Sequence, residues 1–292
     1  MIINNYITKI KSNITIYATK KTSNILDGEY KSIYKGRSMD FDDLRNYIMG
    51  DDIKDIDWKS SARAGSMLVR RYIAEKKHNI MLVLDTGIKM LADTKLGEAK
   101  KEVAIMSAGI MAYLADKNGD YVGAIYNKDE EVIYNPFRNG LYNIEKILTN
   151  YEKDIEKSKT SNLESILEYL IRHIKRKMII VVITDIEGME NIQENTLKNL
   201  AISNDIMFIN ISDAYMTGEN SYNVDENFYI PEIILKDIKL QELEKEAKEK
   251  IYKSCLNKLK KYRISTTTVD TDKEIVTKII ELLERHKYAN SR

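Results

Sequence analysis

Three short apolar segments along the chain have the pattern of buried β-strands. They read NIMLVLD at 79–85, KMIIVVITD at 177–185 and IMFINIS at 206–212. Runs this short, apolar at most positions and rich in β-branched residues, are typical of strands covered on both faces of a parallel sheet. The first two segments end in an aspartate, and we expect these aspartates at the edge of the sheet where ligands usually bind.

Between these strands, apolar positions recur with the helical period. Val103, Ile110 and Leu114 lie on one face of a helix predicted at 97–116. Further helices are predicted at 138–151, 161–175, 190–202, 236–262 and 272–288, a hairpin at 121–127 and 130–135, and strands at 67–73 and 264–270. This alternation predicts an α/β domain over 78–292, with a mostly parallel sheet and helices on both faces. Residues 1–77 fall outside the pattern, and we expect an N-terminal extension of strands and loops.

Composition and charge narrow the classes of function. The 292 residues carry 46 Lys and Arg against 45 Asp and Glu, so no net field draws the chain toward nucleic acid. A single cysteine, Cys255, excludes an intramolecular disulfide and a multi-cysteine zinc site. No apolar run approaches the ~18 residues of a membrane span. We therefore expect a cytoplasmic protein without a transmembrane segment.

Sequence motifs of common enzymes are missing from the chain. Neither of the glycine-rich phosphate loops, G-x-x-x-x-G-K-[ST] and G-x-G-x-x-G, stands between a predicted strand and helix. No G-x-S-x-G nucleophile turn occurs, and the three histidines are scattered. These observations argue against a nucleotide cofactor and covalent catalysis, so we expect no enzymatic activity.

Oxygen-bearing side chains follow the predicted strands. Asp85 and Asp185 end two of them, and Ser161 opens a predicted helix. Two carboxylates with a hydroxyl between them suit Mg²⁺ or Mn²⁺. The layout is similar to the metal-ion-dependent adhesion site of von Willebrand factor A domains, in which the first strand runs into Asp-x-Ser-x-Ser.

The adhesion-site pattern is degenerate in this chain, because its two serine positions read Gly87 and Lys89. Two hydroxyl ligands are lost, and an ammonium group stands where a cation needs oxygen. We expect Lys89 to pair with Asp85 or Asp185 and to replace the charge of the metal. The alternatives are a metal site of reduced affinity and a solvated loop.

A dense signature precedes the first strand of the α/β domain. Residues 28–63 read GEYKSIYKGRSMDFDDLRNYIMGDDIKDIDWKSSAR and resemble the signature of the domain of unknown function 58 family. The matching positions are Gly28, Ser32, Gly36, Phe41, Arg45, Tyr47, Gly50, Asp51, Asp52, Ile56, Asp57, Trp58, Ala62 and Arg63. Asp40 and Lys54 replace the more usual Glu and Arg with the same charge. The resemblance covers about residues 25–215 well.

The resemblance implies a bacterial protein with a von Willebrand factor A-like, Rossmann-like domain. Members of the family are often encoded beside a MoxR-type AAA+ ATPase, and are thought to assemble or activate other complexes. The implied partner is therefore a MoxR-type ATPase. Many relatives carry N-terminal membrane helices, and we expect none in this chain.

The charges of the signature also have a physical interpretation. Gly50 and the two aspartates after it predict a turn. Arg45 and Arg63 are candidates for forked pairs with carboxylates, and Trp58 is predicted to be a packing anchor. The segment then holds the fold together beside the strand-end face near Asp85, with its charges satisfied internally.

We expect an interaction and assembly factor with an N-terminal extension at 1–77 and a von Willebrand factor A-like domain at 78–292. It needs neither cofactor nor metal and acts with the ATPase. One alternative is a Mg²⁺- or Mn²⁺-dependent binding module using Asp85, Ser161 and Asp185. The other is a metal-dependent hydrolase using Asp51, Asp52 and Asp57.

Overall fold

The structure is a computed structural model that describes residues 5–20, 40–73, 77–155, 162–217, 222–223, 228–229 and 237–290. Contacts within the chain divide it into two compact units. The small unit is Tyr34–His78, and the α/β unit comprises Met1–Ile33 and Asn79–Arg292.

The α/β unit is built on a six-stranded sheet. Its strands are β3 (Asn79–Leu84), β4 (Tyr121–Lys128), β5 (Glu131–Arg138), β6 (Ile179–Thr184), β7 (Asp205–Ile211) and β10 (Ser265–Val269). Their order in the sheet is β10-β7-β6-β3-β4-β5. All neighbouring pairs are parallel except the predicted hairpin of β4 and β5. The prediction of a mostly parallel sheet is confirmed, and every residue of β6 is buried as its apolar run indicates.

Helices cover both faces of the sheet, as predicted. They are α1 (Tyr6–Lys20), α3 (Lys100–Lys117), α4 (Leu141–Ile155), α5 (Leu163–His173), α6 (Ile186–Glu190), α7 (Glu194–Ser203), α8 (Ile238–Lys261) and α9 (Ile275–Asn290). On one face, α5, α7 and α8 share a core cluster with Val83, Ile125 and Phe208. Helices α3, α4 and α9 pack together on the other face.

Helix α3 begins three residues later than its periodicity predicts. A tight turn precedes it, in which the Thr94 N–H donates to the Glu98 carbonyl at 2.7 Å. Asp93 and Ala99 form an isolated antiparallel bridge. These bonds hold Ala99 in an extended conformation, and the helix begins at Lys100.

Helix α1 lies in the α/β unit, whereas the sequence placed its residues in the extension at 1–77. Tyr6 and Ile10 are buried, and Ile10 packs so closely on α3 that a Cβ at Gly109 would lie 2.5 Å from its Cδ1. The Glu145 carboxylate of α4 accepts the Tyr6 and Ile7 N–H groups at 2.9 Å each. The helix thus completes one face of the α/β unit, and the division into two domains at residue 77 stays a prediction.

The small unit is an antiparallel pair, β1 (Asp40–Asn46) and β2 (Leu68–Ile73), with α2 (Trp58–Ala64) in the connection. A turn of 3₁₀ helix at Ile53–Asp55 precedes α2. Ile56 and Val69 are buried and bridge each other across the unit. Elsewhere, Tyr222–Asn223 and Phe228–Tyr229 form a two-residue ladder, β8 and β9.

Candidate functional site

Three aspartates meet at one edge of the parallel sheet. Asp85 follows β3, Asp185 follows β6, and Asp213 lies two residues beyond β7. Because β3, β6 and β7 are parallel neighbours, their carboxyl ends reach the same edge. Asp85 and Asp185 are both buried there. Buried carboxylates need compensating partners, and the partners define the site.

The carboxylate of Asp85 is held from three directions. Its Oδ2 accepts the Thr184 hydroxyl at 2.5 Å and lies 3.2 Å from Lys89 Nζ, while its Oδ1 accepts the Gly87 N–H at 3.2 Å. Its backbone carbonyl accepts the buried Tyr151 hydroxyl at 2.7 Å. The first strand end is therefore fixed in both side chain and backbone.

The carboxylate of Asp185 bridges two lysines. Its Oδ1 lies 2.8 Å from Lys89 Nζ and accepts the Gly188 N–H at 2.9 Å, and its Oδ2 lies 2.7 Å from Lys100 Nζ. Burial by itself would raise the pKa of Asp185, but the charges of Lys100 and Lys89 outweigh it and lower the pKa to about 2. Asp185 is thus ionised at neutral pH.

Lys89 and Lys100 supply the positive charge of the site. Burial opposes their protonation, but the neighbouring aspartates more than compensate, so the pKa of each lysine is raised. Lys100 is almost fully buried and also pairs with Asp213. Partial burial raises the pKa of the Asp213 carboxyl. The side chain of Asp213 is nevertheless more exposed than those of Asp85 and Asp185. We call Asp85, Asp185, Asp213, Lys89 and Lys100 the strand-end cluster.

Gly188 allows the cluster to close. A Cβ at this position in α6 would lie 1.9 Å from Thr184 Oγ1 and 2.9 Å from Asp85 Oδ2. Only a residue without a side chain can bring its backbone N–H to Asp185 in this space. The helix after β6 is therefore built around the two strand-end carboxylates.

The structure brings together Asp85, Asp185 and Lys89 from the predicted adhesion-type site, and Lys89 contacts both carboxylates. Gly87 takes part through its backbone, and Ser161 lies outside the described residues. Sequence reasoning missed Lys100 and Asp213. Asp213 could have been found from the sequence, because it closely follows a third apolar strand. Lys100 could not, because it is 85 residues from Asp185 and resembles any lysine at the start of a helix.

An open pocket of about 760 Å³ adjoins the cluster. Asp85 and Lys89 lie on its wall beside residues from the β4–β5 turn and from the first turns of α5 and α6. Among the described residues, no three His, Cys, Asp or Glu side chains are grouped so as to hold a metal ion. The ammonium of Lys89 stands between the two carboxylates that a cation would need.

The small unit contains the signature charges. Arg45 forms a fork with Asp51, with Nη1 at 2.7 Å from Oδ2 and Nη2 at 2.6 Å from Oδ1. Asp51 Oδ2 also accepts the Ile48 N–H at 2.9 Å. Gly50 has a φ of 110°, which confirms the turn predicted there. Asp51 is therefore fully engaged by its own unit, and Arg45 lowers its pKa.

Two further acids of the signature cap helical turns. Asp52 accepts the Lys54 N–H at 3.0 Å, and Asp57 accepts the Ser60 N–H at 2.9 Å at the start of α2. The second Asp57 oxygen lies 3.0 Å from Nε of Arg70. Tyr47 donates its N–H to the Met67 carbonyl at 2.8 Å and so joins the two strands.

Two expectations for the signature are wrong. Arg63 forms no ion pair with a carboxylate of the described residues, because Arg70 on the adjacent strand takes the place beside Asp57. Trp58 is 64% exposed and is therefore no buried anchor. It occupies the first position of the seven-residue α2, which leaves Ile56 and Val69 to fill the small core.

Comparison with known families identifies the relationship. The sequence profile of a family described as "Protein of unknown function DUF58" matches residues 43–217, which is more than half of the chain. The chain belongs to this family. The matched region includes both the signature charges from Asp43 onward and the strand-end cluster.

The chain is also similar, at low identity, to proteins of mycobacteria. Uncharacterized proteins of Mycobacterium bovis and Mycobacterium tuberculosis are 24% identical to the chain over 196 residues, which are 66% of this chain and 61% of theirs. The aligned region thus spans less than two thirds of the length of those relatives.

Solved structures similar to the chain include von Willebrand factor A domains. A von Willebrand factor type A protein from Catenulispora acidiphila has a TM-score of 0.40 and 8% identity, covering 73% of this chain and 43% of that one. The SpRpn10 VWA domain has a TM-score of 0.32 and 10% identity, covering 47% of this chain and 77% of that one. The α/β unit itself has the mostly parallel sheet covered by helices on both faces that the resemblance implied. None of the helices in the described part of the chain combines the length and apolarity needed to cross a bilayer.

Proposed function

We propose that this member of the family is a non-enzymatic interaction and assembly factor that works without a metal ion and acts in the cytoplasm with a MoxR-type AAA+ ATPase. The observation that carries the proposal is the strand-end cluster. Lys89 and Lys100 there occupy the carboxylates that an adhesion-type site offers to a divalent cation. The two buried carboxylates of the binding edge are thus paired with lysines of the chain itself, and a partner can engage the edge without metal.

The small unit supports a protein-binding role through its exposed apolar side chains. Met49 is 97% exposed, Ile53 66%, Ile48 65%, Trp58 64% and Met67 54%. Five exposed large apolar residues in so small a unit favour a role in protein binding. The ion pairs of Arg45 and Arg70 stiffen the backbone that carries them.

The alternatives receive less support from the site. In the small unit Asp51 is taken by Arg45 and Asp57 by Arg70, while Asp52 caps a turn, and these contacts argue against a hydrolytic metal site. In the strand-end cluster an added divalent cation would have to displace Lys89 from both of its carboxylates. We therefore favour the interaction role.

Co-purification with the MoxR-type ATPase of the same organism, in ATP- and ADP-bound states, tests the proposal. We expect the tagged wild-type chain to retain the ATPase in at least one state, and Trp58→Ala with Met49→Ala to retain several-fold less. Ile202→Ala is the control, because Ile202 is an equally exposed apolar residue on α7, 74% exposed. No association of the wild type in any nucleotide state would refute the partner assignment.

A further inference from the structure

A second open pocket, of about 520 Å³, lies between β5 and the end of α5 and shares no lining residue with the first. Tyr134 of β5 lines it together with residues 169 and 173–176. The rings of Tyr169 and His173 stack with their centroids 4.1 Å apart, which fixes part of the wall. Tyr134 is 37% exposed, and His173 is exposed as well. The pocket thus opens to solvent beside β5.

The charge of this second pocket is positive. Lys175 and Arg176 are exposed, and neither pairs with a carboxylate of the described residues. Lys175 donates to a carbonyl in the last turn of α5 at 2.9 Å, and the Arg176 guanidinium lies 5.5 Å from the centre of the Phe137 ring. Glu168 on the same helix is already paired with Arg172 at 2.7 Å. Because the described lining residues include no acid, the pocket attracts an anionic group.

Strand β5 also offers backbone hydrogen-bonding groups beside the pocket. Lys128 and Glu131 pair across a two-residue turn, and the pair that closes such a turn is hydrogen-bonded. Bonded and non-bonded pairs alternate along an antiparallel ladder, so Ile133 bonds to β4, whereas Val132 and Tyr134 direct their N–H and C=O groups away from it. In the described part of the chain β5 is the last strand of the sheet. These groups are therefore available to an added strand.

Tyr134 belongs to both features, because its backbone lies on the open edge and its ring lines the pocket. Pro136 follows two residues later and has no N–H, so the edge accepts only a short added strand. The combination favours an extended peptide over nucleic acid, which lacks the alternating backbone donors and acceptors of a β-strand. The positive charge of the pocket requires that the peptide be acidic.

We propose that an extended, acidic segment of a partner protein adds to β5 at residues 132–134 and places a carboxylate beside Lys175 and Arg176. Backbone hydrogen bonds supply affinity in this mode of recognition, and the side-chain pocket supplies specificity. The inference rests on the proposed interaction function, because the segment is supplied by a partner. It deepens that function by naming a contact surface and the chemistry that it recognises.

Amide hydrogen exchange, measured by solution NMR with a short peptide, tests the inference without any partner. The probes are acetyl-Thr-Glu-Val-Glu-Thr-amide and the same peptide with Gln in place of both Glu residues. We expect the glutamate peptide to slow exchange of the Val132 and Tyr134 amides several-fold, and the Ile133 amide, already bonded to β4, to change less. The glutamine peptide should bind about fivefold more weakly. No slowing at these two amides, or equal affinity of the two peptides, would overturn the inference.

Charge variants locate the binding. Lys175→Gln with Arg176→Gln should weaken the glutamate peptide about fivefold, as expected for exposed charges. Lys245→Gln with Lys250→Gln is the matched control, since it removes the same number of exposed positive charges from α8. Equal affinities in the two double variants would contradict the proposal.

Two further outcomes separate this inference from its rivals. Tighter binding of an oligothymidylate than of the glutamate peptide would assign the surface to nucleic acid and overturn the inference. Peptide binding without ATPase co-purification would reject the ATPase assignment alone, whereas co-purification without peptide binding would reject the β5 inference alone.

Discussion

Lys89 and Asp185 form an ion pair between the ends of two neighbouring strands, with Nζ 2.8 Å from Oδ1, although 96 residues separate them in sequence. The same ammonium lies 3.2 Å from Asp85 Oδ2. One lysine thereby joins the carboxyl ends of β3 and β6, where a metal ion would do so in an adhesion-type site. The strand-end edge is consequently held by charges that belong to the chain.

Lys100→Met should strongly destabilise the protein. It removes the cation that lies 2.7 Å from Asp185 and pairs with Asp213, and it leaves buried negative charge uncompensated. Breaking a buried pair in this way costs about 3–5 kcal/mol of the free energy of unfolding, measurable by urea denaturation. Adding Asp213→Asn should recover part of the loss, because one uncompensated carboxylate is removed.

The control for that experiment is Lys198→Met on the exposed surface of α7, which we expect to change stability by less than about 0.5 kcal/mol. Equal losses in the two methionine variants would show that the buried pairs of Lys100 contribute nothing specific.

Asp185 should make stability depend on acid pH. Its pKa of about 2 in the folded chain lies below the ordinary value of 3.8. The stabilisation is therefore fully present above about pH 4 and is lost as the pH falls through 2. We expect the difference in unfolding free energy between wild type and Asp185→Asn to narrow by roughly 2 kcal/mol over that interval.

The matched variant for the acid titration is Asp213→Asn. The pKa of Asp213 is raised, so protonation in acid relieves an unfavourable charge. As the pH falls, the unfolding free energy of the wild type should therefore rise relative to that of Asp213→Asn, in the direction opposite to the Asp185→Asn comparison. If the difference in unfolding free energy between wild type and Asp185→Asn stays constant with pH, the lowered pKa of Asp185 is contradicted.

Gly188→Ala should destabilise the protein although the position is helical. In a helix, alanine normally stabilises by about 1 kcal/mol relative to glycine. Here the new methyl group would lie 1.9 Å from Thr184 Oγ1, and we expect a net loss of roughly 2 kcal/mol. Thermal and urea unfolding measure the change. If the clash is the cause, Gly188→Ala should cost less unfolding free energy in a chain that also carries Thr184→Ala. Losses in the double variant that equal the sum of the two single losses would contradict the explanation.

Arg45→Ala should loosen the turn of the small unit. The fork of Arg45 holds the Asp51 carboxylate, which in turn accepts the Ile48 N–H at 2.9 Å. Hydrogen exchange of the Ile48 amide should therefore accelerate in this variant. Arg63→Ala should leave the rate unchanged, because Arg63 has no carboxylate partner in the described part of the chain. Faster exchange in Arg63→Ala, with an unchanged rate in Arg45→Ala, would instead support the predicted forked pair between Arg63 and a carboxylate.

The fold was largely predictable because its sheet is buried on both faces. The short length of the apolar runs of β3 and β6 favours strands over helices, and the helices between them begin and end within a few residues of their predicted positions. Helix α1 was missed, although Ile7, Ile10 and Ile14 recur with the helical period. Its place in the α/β unit depends on the burial of Tyr6 and on the close approach of Ile10 to Gly109, which are tertiary contacts.

The site was predictable only where its residues follow strands. Asp85 and Asp185 could be found because parallel strands end at one edge, and Lys89 because it lies four residues beyond Asp85. Lys100 is brought to the cluster by the turn before α3, which determines where that helix begins. Trp58 was misjudged because its size favours burial, whereas its place at the start of a short helix leaves it exposed.

Calorimetric titration of Mg²⁺ and Mn²⁺ into the wild-type protein tests the central claim, that lysine charge replaces metal at the strand-end edge. The account predicts no heat beyond dilution and no change in melting temperature, because a ligand that binds the folded state must stabilise it. In Gly87→Ser with Lys89→Ser, two hydroxyl groups return and one ammonium is removed, so the account predicts that binding appears. Saturable heat in the wild type that disappears in Asp85→Asn would contradict the claim.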